Sequence, residues 1–210
     1  MARNCLLYYI TDRKAFPGDE PTRRRGLLQK IKEAAGAGVD YIQLREKDLP
    51  ARDLELLAID AGNVVAQTPT KLFINSRLDI AMAVGAHIHL RSDDISPREA
   101  RAILSLDRRQ ELAIAVSCHT LPEVARASEM QANFAVFGPV LGKKDNPNGE
   151  IAGIETLRHA CELNIPVLAL GGITLENAQA CIEAGAAGIA AIRLFQENDI
   201  PSVVNRLRLG

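Results

Sequence analysis

Two basic residues follow one apolar run of this 210-residue chain at a spacing that suits anion binding. Arg45 and Lys47 come directly after the run YIQL and share the phase of Gln43, so all three point the same way if a strand continues through them. Cations placed near a core need a counter-charge. Four acidic residues are close enough in sequence or strand order to supply it, namely Glu46, Asp48, Asp93 and Asp94. Since Lys143 and Lys144 lie in another loop of the same kind, a polyphosphate ligand is the simpler explanation.

A second anion site is indicated by Gly171 and Gly172, which connect the apolar run PVLAL to a helical pattern predicted to begin at Thr174. Without side chains, these residues would let an oxyanion approach backbone N–H groups, and the N-terminus of the following helix would add positive potential. The pattern therefore predicts a phosphate site. A tight turn before a helix is the alternative.

Other polar residues that follow apolar runs are suited to metal binding or proton transfer. Asp93 and Asp94 carry the oxygen ligands that Mg²⁺ prefers, although one of them would also suit a helix N-cap. His119 lies just past a run beside Ser117 and is a candidate acid, base or hydrogen-bond donor. His89 is a further candidate because it is close to the end of its run.

Eight apolar runs alternate with helical patterns, and the residues described above come at or after the ends of five of them. The runs are LLYYI, YIQL, KLFIN, HIHL, LAIAVS, NFAVFG, PVLAL and GIAAI. Runs that are apolar on both faces are typical of strands in a parallel sheet, and strict alternation with helices indicates right-handed crossovers. The sequence thus predicts a single-domain (β/α)₈ barrel over residues 1–210 with its chemistry at the carboxyl ends of the strands. An open doubly wound sheet is the alternative, but its G-x-G-x-x-G fingerprint does not follow the first run.

The composition limits the classes of partner. A net charge of −1 gives no global attraction for nucleic acid or acidic membranes, and no apolar run approaches the roughly 18 residues of a membrane span. The first residues do not resemble a signal peptide, so a cytoplasmic protein is expected. The four cysteines have no metal-ligand spacing and are expected to be buried, reduced thiols.

Taken in order, the strand-end residues resemble those of the thiamine phosphate synthase / TenI family. The matching stretches are YYITDR, YIQLREKDL, FINSRLDIAMAVGAHIHL, SDDIS, AVSCHT, FAVFGPV, PVLALGGITLENA and AGAAGIAAI. The resemblance implies a (β/α)₈ barrel. It also implies a transferase that couples hydroxymethylpyrimidine diphosphate to thiazole phosphate and releases diphosphate.

Residue patterns and resemblance together define a candidate site. The candidate catalytic residues are Arg45, Lys47, Ser117 and His119. The candidate substrate-binding residues are Gln43, Asn75, His89, Lys143, Lys144, Gly171, Gly172, Ile192 and Arg193. The resemblance makes Arg45 and Lys47 diphosphate ligands, places Gln43 on the pyrimidine, and puts Asn75 and Ser117 on the diphosphate or pyrimidine side. It also implies that Asp94 binds Mg²⁺, and that the two glycines and the backbone at 192–193 hold the thiazole phosphate.

Three positions differ from the family pattern. Asn75-Ser76 replaces Asn-Asp, whose acid binds Mg²⁺, and VLGKKDNPNGE replaces a loop with Thr-x-Thr-Lys that grips the diphosphate. Both changes weaken metal–diphosphate binding, although the two lysines could restore charge. Arg193 replaces a serine, where it could clamp the thiazole phosphate or fill the space of a missing ligand.

These differences leave two other functions open. One is a thiazole tautomerase that needs neither diphosphate nor metal, in which His119 would transfer the proton. The other is a non-catalytic paralogue that binds a thiamine precursor. For the synthase, the expected partners are two phosphorylated small molecules, and a homodimer is expected only by analogy.

Overall fold

A computed structural model describes residues 5–142 and 150–209, and its eight parallel strands close into one barrel. The strands are β1 (Leu6–Ile10), β2 (Tyr41–Leu44), β3 (Lys71–Asn75), β4 (His87–Leu90), β5 (Ile114–Cys118), β6 (Phe134–Phe137), β7 (Val167–Leu170) and β8 (Gly188–Ala191). Each strand pairs with the next in the chain, and β8 pairs with β1. The predicted (β/α)₈ barrel is confirmed, and the open doubly wound sheet is excluded because the first and last strands are hydrogen-bonded to each other.

Helices cover the outside of the barrel. They are α1 (Glu20–Gly36), α2 (Ala51–Val65), α3 (Leu78–Val84), α4 (Pro97–Leu106), α5 (Leu121–Glu129), α6 (Gly153–Cys161), α7 (Ala178–Glu183), α8 (Arg193–Gln196) and α9 (Ile200–Leu209). The α4 helix begins with a capping box, in which the Ser96 hydroxyl accepts the Glu99 N–H and the Glu99 carboxylate accepts the Ser96 N–H.

The predicted start of the helix after the paired glycines is wrong. The α7 helix begins at Ala178 rather than Thr174, because the Asn177 side chain accepts the Thr174 N–H and donates to the Gly172 carbonyl. An asparagine that bonds nearby backbone in this way favours a turn over a helix.

An aromatic cluster fills the barrel interior below its carboxyl end. Tyr8, Tyr41, Phe73 and Phe134 pack there, with the Tyr41 and Phe134 rings stacked at a centroid distance of 5.2 Å. A separate, larger apolar layer lies between the strands and the helices. Because bulky rings occupy the interior at the level of these strands, the polar side chains gather at the strand ends.

The four cysteines are free thiols, as predicted. Cys5, Cys118 and Cys181 are buried, and Cys161 is half-buried. Burial raises the pKa of the Cys181 thiol to about 11, which suits a structural role rather than a nucleophilic one. None of the helices in the described part of the chain is long and apolar enough to cross a membrane.

Candidate active site

A line of hydrogen bonds connects the carboxyl ends of three neighbouring strands. The Gln43 amide on β2 donates to Asn75 Oδ1 on β3 (3.0 Å), and the Asn75 amide donates to Ser76 Oγ (3.1 Å). Ser76 in turn lies beside the Asp94 carboxylate beyond β4, and hydrogen bonding from the Arg91 backbone first, and from Ser76 second, lowers the pKa of Asp94. Ser76 has a φ of +62°, a conformation that serine adopts only when its surroundings hold it. The strand ends that carry predicted residues are therefore joined into one polar surface.

A second polar chain rises through the barrel interior to Ser117. His89 lies between Tyr8 and Ser117, with Tyr8 Oη 2.9 Å from Nδ1 and Ser117 Oγ 2.8 Å from Nε2. A buried phenol needs an acceptor, and Nδ1 is the partner that the described residues provide. Tyr8 therefore donates to Nδ1, and the Nε2–H of His89 donates to Ser117, whose own proton is free for a ligand. Since His89 is only 1% exposed, we expect it to act on a substrate through Ser117.

His89 is expected to stay neutral well below neutral pH. Burial first, and the positive charge of Arg45 second, lower the pKa of His89 to about 3. The carbon and nitrogen NMR shifts of this ring should therefore stay constant from pH 8 to about pH 5, whereas free histidine in the same buffer titrates. Because the unfolded chain takes up a proton below about pH 6.5 that the folded His89 does not accept, stability should fall as the pH drops from there toward 3. A ring that titrates near 6.5 would contradict this arrangement.

The backbone of Arg45 is fixed by Thr11, the residue that follows β1. The β2 strand ends at Leu44, as the run YIQL does, so the condition for a shared face, a strand that continues through Lys47, is not met. Instead the Arg45 N–H donates to Thr11 Oγ1 (3.0 Å), and the Thr11 hydroxyl donates to Glu46 (2.6 Å). Glu46 is 3% exposed whereas Arg45 is half-buried, so the chain turns Glu46 inward and holds the preceding Arg45 at the barrel mouth.

The acids nearest Arg45 already have another partner. Arg13, whose side chain is buried, lies 3.1 Å from Glu46 and 2.7 Å from Asp48. Asp48 is also paired with Lys14 (3.2 Å), and within the described ranges neither Arg45 nor Lys47 forms an ion pair. The internal salt-bridge explanation therefore fails for these two acids, and an anionic ligand accounts better for the cations.

Arg91 forms ion pairs with the remaining two acids, Asp93 and Asp94. Its guanidinium lies 3.1 Å from Asp94 and 3.4 Å from Asp93. Partial burial lowers the pKa of Lys47, and the positive charges of Arg45 and Arg91 lower it further. The three basic residues are thus close enough to repel one another, which is the arrangement expected of an anion site.

The oxygen donors at Asp94 do not suit Mg²⁺. Asp94 Oδ2 accepts the Arg91 backbone N–H (2.8 Å), and Oδ1 accepts Nε and Nη2 of the same arginine. The neighbouring position holds the Ser76 hydroxyl instead of a carboxylate, and residues 5–142 and 150–209 contain no cluster of three His, Cys, Asp or Glu that could hold a metal. Asp94 does not cap the following helix either, because Ser96 has that role. The predicted Mg²⁺ stays a prediction, and this donor set weakens it.

The backbone at positions 171 and 172 requires glycine, and the N–H groups of both residues are available to a ligand. Their φ angles are +99° and +64°, and a Cβ on Gly171 would lie 2.7 Å from Pro139 Cα. Close approach to the loop after β6 therefore explains the glycines by itself. Their N–H groups nevertheless donate to no acceptor in the described part of the chain, so a bound phosphate could take them. With α7 beginning at Ala178, these amides rather than a helix N-terminus would supply the positive potential.

The remaining predicted residues are placed as follows. Ile192 packs against the interior cluster and precedes Arg193, the first residue of α8. The predicted phosphate contact of both residues stays a prediction. Lys143 and Lys144 lie outside the described residues, so their predicted anion contact also stays a prediction.

His119 is exposed at the barrel mouth with one ring nitrogen occupied. Nδ1 is hydrogen-bonded to the Gly138 carbonyl, so it carries the proton. Nε2 is then the nitrogen with a lone pair, and it could accept a proton from a ligand.

Arg91 also follows a strand, yet it is not one of the candidate residues that the sequence and the resemblance define. Arg91 comes two residues after His89, so the period of two that singled out Arg45 after Gln43 applies to it as well. The Tyr8–His89 contact, by contrast, joins residues 81 positions apart and has no local signal.

Comparisons with known proteins agree with this geometry. The family model described as thiamine monophosphate synthase matches residues 7–195. A putative thiamine-phosphate synthase of Geobacter sulfurreducens is 41% identical over 189 residues, covering 89% of this chain and 84% of the relative. The thiamine-phosphate synthase of Roseiflexus sp. is 35% identical over 190 residues, covering 89% and 76%. The solved structure of thiamine phosphate pyrophosphorylase from Pyrococcus furiosus superposes with a TM-score of 0.81 at 28% identity, over 99% of this chain and 96% of that one.

Proposed function

The chain belongs to the thiamine monophosphate synthase family, and from this premise we propose that it is a transferase of thiamine biosynthesis. It would couple hydroxymethylpyrimidine diphosphate to thiazole phosphate, forming thiamine phosphate and releasing diphosphate. One observation carries the proposal beyond family membership. Arg45 and Lys47 lie at the barrel mouth, and the acids nearby form their ion pairs with Arg13 and Arg91 instead.

The proposed chemistry is a dissociative substitution. The bond between the pyrimidine methylene carbon and the diphosphate oxygen breaks, and the thiazole nitrogen supplies the electron pair of the new carbon–nitrogen bond. Arg45 and Lys47 would stabilise the negative charge that develops on the departing diphosphate. Ser117, whose oxygen accepts the His89 Nε2–H, would donate its own proton to a substrate oxygen as a hydrogen bond.

The rest of the site would hold the two substrates in line. Gln43 and Asn75 are fixed to each other and would orient the pyrimidine. The N–H groups of Gly171 and Gly172 would bind the thiazole phosphate. If Mg²⁺ binds, it would neutralise charge on the diphosphate, but no step proposed here depends on it.

A coupled assay tests this function. Purified protein with both substrates should form thiamine phosphate and release diphosphate in equal amounts, and omission of either substrate should abolish both products. If no product forms and calorimetry detects no binding of the pyrimidine diphosphate, the proposed function is wrong. Binding of both substrates without turnover would instead favour the non-catalytic paralogue.

A thiazole tautomerase is the second candidate, and two observations favour it. His119 Nε2 is placed to move a proton, and Ser76 removes a carboxylate that a metal-dependent synthase would use. This activity would appear as isomerisation of the carboxythiazole phosphate in buffer with EDTA, and His119→Ala should abolish it. Isomerisation without thiamine phosphate formation would establish the tautomerase in place of the synthase.

Other properties stay predictions. A cytoplasmic location follows from the expected pathway, and a homodimer rests on analogy alone. The proposed partners are the two phosphorylated small molecules named above.

A further inference from the structure

Arg91 is held in one orientation while part of its guanidinium stays available. Its Nε and Nη2 atoms donate to Asp94, whose side chain is only 13% exposed, and Nη2 also lies 3.4 Å from Asp93. The third donor, Nη1, makes no hydrogen bond within residues 5–142 and 150–209. A carboxylate that fixes two donors of an arginine leaves the remaining edge pre-oriented for a second anion.

Arg91 follows β4 and Arg45 follows β2, so both lie at the carboxyl end of the barrel. The charge of Arg91 acts on Lys47 together with that of Arg45, so the three side chains share one region. Asp94 is the predicted Mg²⁺ ligand in this region, and both of its oxygens accept hydrogen bonds from Arg91. A divalent cation would have to displace that arginine, and Ser76 would offer it a hydroxyl where an acid is expected.

From this arrangement we propose that Arg91, positioned by Asp94, binds the diphosphate directly in the place of a divalent cation. Arg45, Lys47 and Arg91 then form a diphosphate site that does not require metal. This inference rests on the proposed function for the identity of the anion. It assigns Asp94 the role of positioning an arginine instead of ligating Mg²⁺.

Calorimetric titration with inorganic diphosphate tests the proposal. The full-length protein should bind diphosphate in EDTA, and excess Mg²⁺ should tighten binding by less than about twofold. Arg91→Ala should weaken binding in EDTA by about tenfold or more, the loss expected for one charge-assisted contact. Arg109→Ala is the matched control, because Arg109 forms a similar ion pair with Asp107 (2.6 Å) in the loop before β5, at the other end of the barrel. It should change affinity by less than about twofold.

Manganese binding followed by electron paramagnetic resonance supplies a readout that does not depend on activity. The wild-type protein should leave Mn²⁺ free, whereas the double variant Ser76→Asp, Arg91→Ala should bind it, since two acids then face each other without an arginine. Diphosphate binding that needs Mg²⁺, unchanged affinity in Arg91→Ala, or no diphosphate binding under any condition would each overturn the proposal. Metal-free diphosphate binding without thiamine phosphate formation would support the anion site while rejecting the synthase.

Discussion

Arg45→Ala is expected to lower kcat/KM for thiamine phosphate formation by a factor of about 10²–10³, the usual cost of removing one donor that stabilises developing charge. The free energy of unfolding should change by less than about 0.5 kcal/mol. Arg45 makes no ion pair in the described ranges, so its removal leaves no carboxylate without a partner. Steady-state kinetics and urea unfolding of the same preparations measure the two quantities.

Two further variants separate charge from general disruption. Arg45→Lys should recover part of the loss, because lysine keeps the charge but cannot present the two-pronged guanidinium. Arg126→Ala changes an exposed arginine in the last turn of α5 and should leave the kinetics unchanged. If Arg45→Ala retained wild-type kcat/KM, the proposed leaving-group site at the end of β2 would be wrong.

Arg13→Ala is expected to destabilise the protein by about 3–5 kcal/mol, the cost of leaving a buried charge without its partner. The Arg13 side chain is 5% exposed and bonds Glu46, whose side chain is 2% exposed, as well as Asp48 and Glu20. Without Arg13, the buried carboxylate of Glu46 would have no ion-pair partner beneath the loop that carries Arg45. Urea unfolding at neutral pH measures the effect, and activity should fall with stability because the same loop loses its support.

The acid dependence of stability gives an independent check. Hydrogen bonds from Arg13 lower the pKa values of Asp48 and Glu20 in the folded protein, so below about pH 4 the unfolded chain binds more protons and stability falls. This decline should be shallower in Arg13→Ala. As a control, Arg24→Ala breaks a more exposed pair with Glu20 (2.8 Å) and should cost about 0.2–1 kcal/mol. Equal losses for the two variants would show that the buried network does not stabilise the fold.

The alternation of strands and helices was predictable because short segments of the sequence encode it. Each apolar run between turn-forming residues reports its own burial, and eight such runs in order leave a closed parallel barrel as the natural arrangement. The position of Arg45, Ser117 and the paired glycines at strand ends followed from the same count. The helix start at Ala178 was missed, since a side chain that bonds its own turn overrides helical periodicity.

The pairing of charges at the barrel mouth was decided only by the tertiary structure. Nothing local in the sequence shows that Arg13 takes Glu46, 33 residues away, whereas Arg91 and Asp94 are only three residues apart and their pairing is local. The sequence by itself determined which residues reach the carboxyl end of the barrel, because strand order and period are properties of short segments. Which acid neutralises which base depends on how separate loops approach each other in space, and only the closed barrel sets those distances.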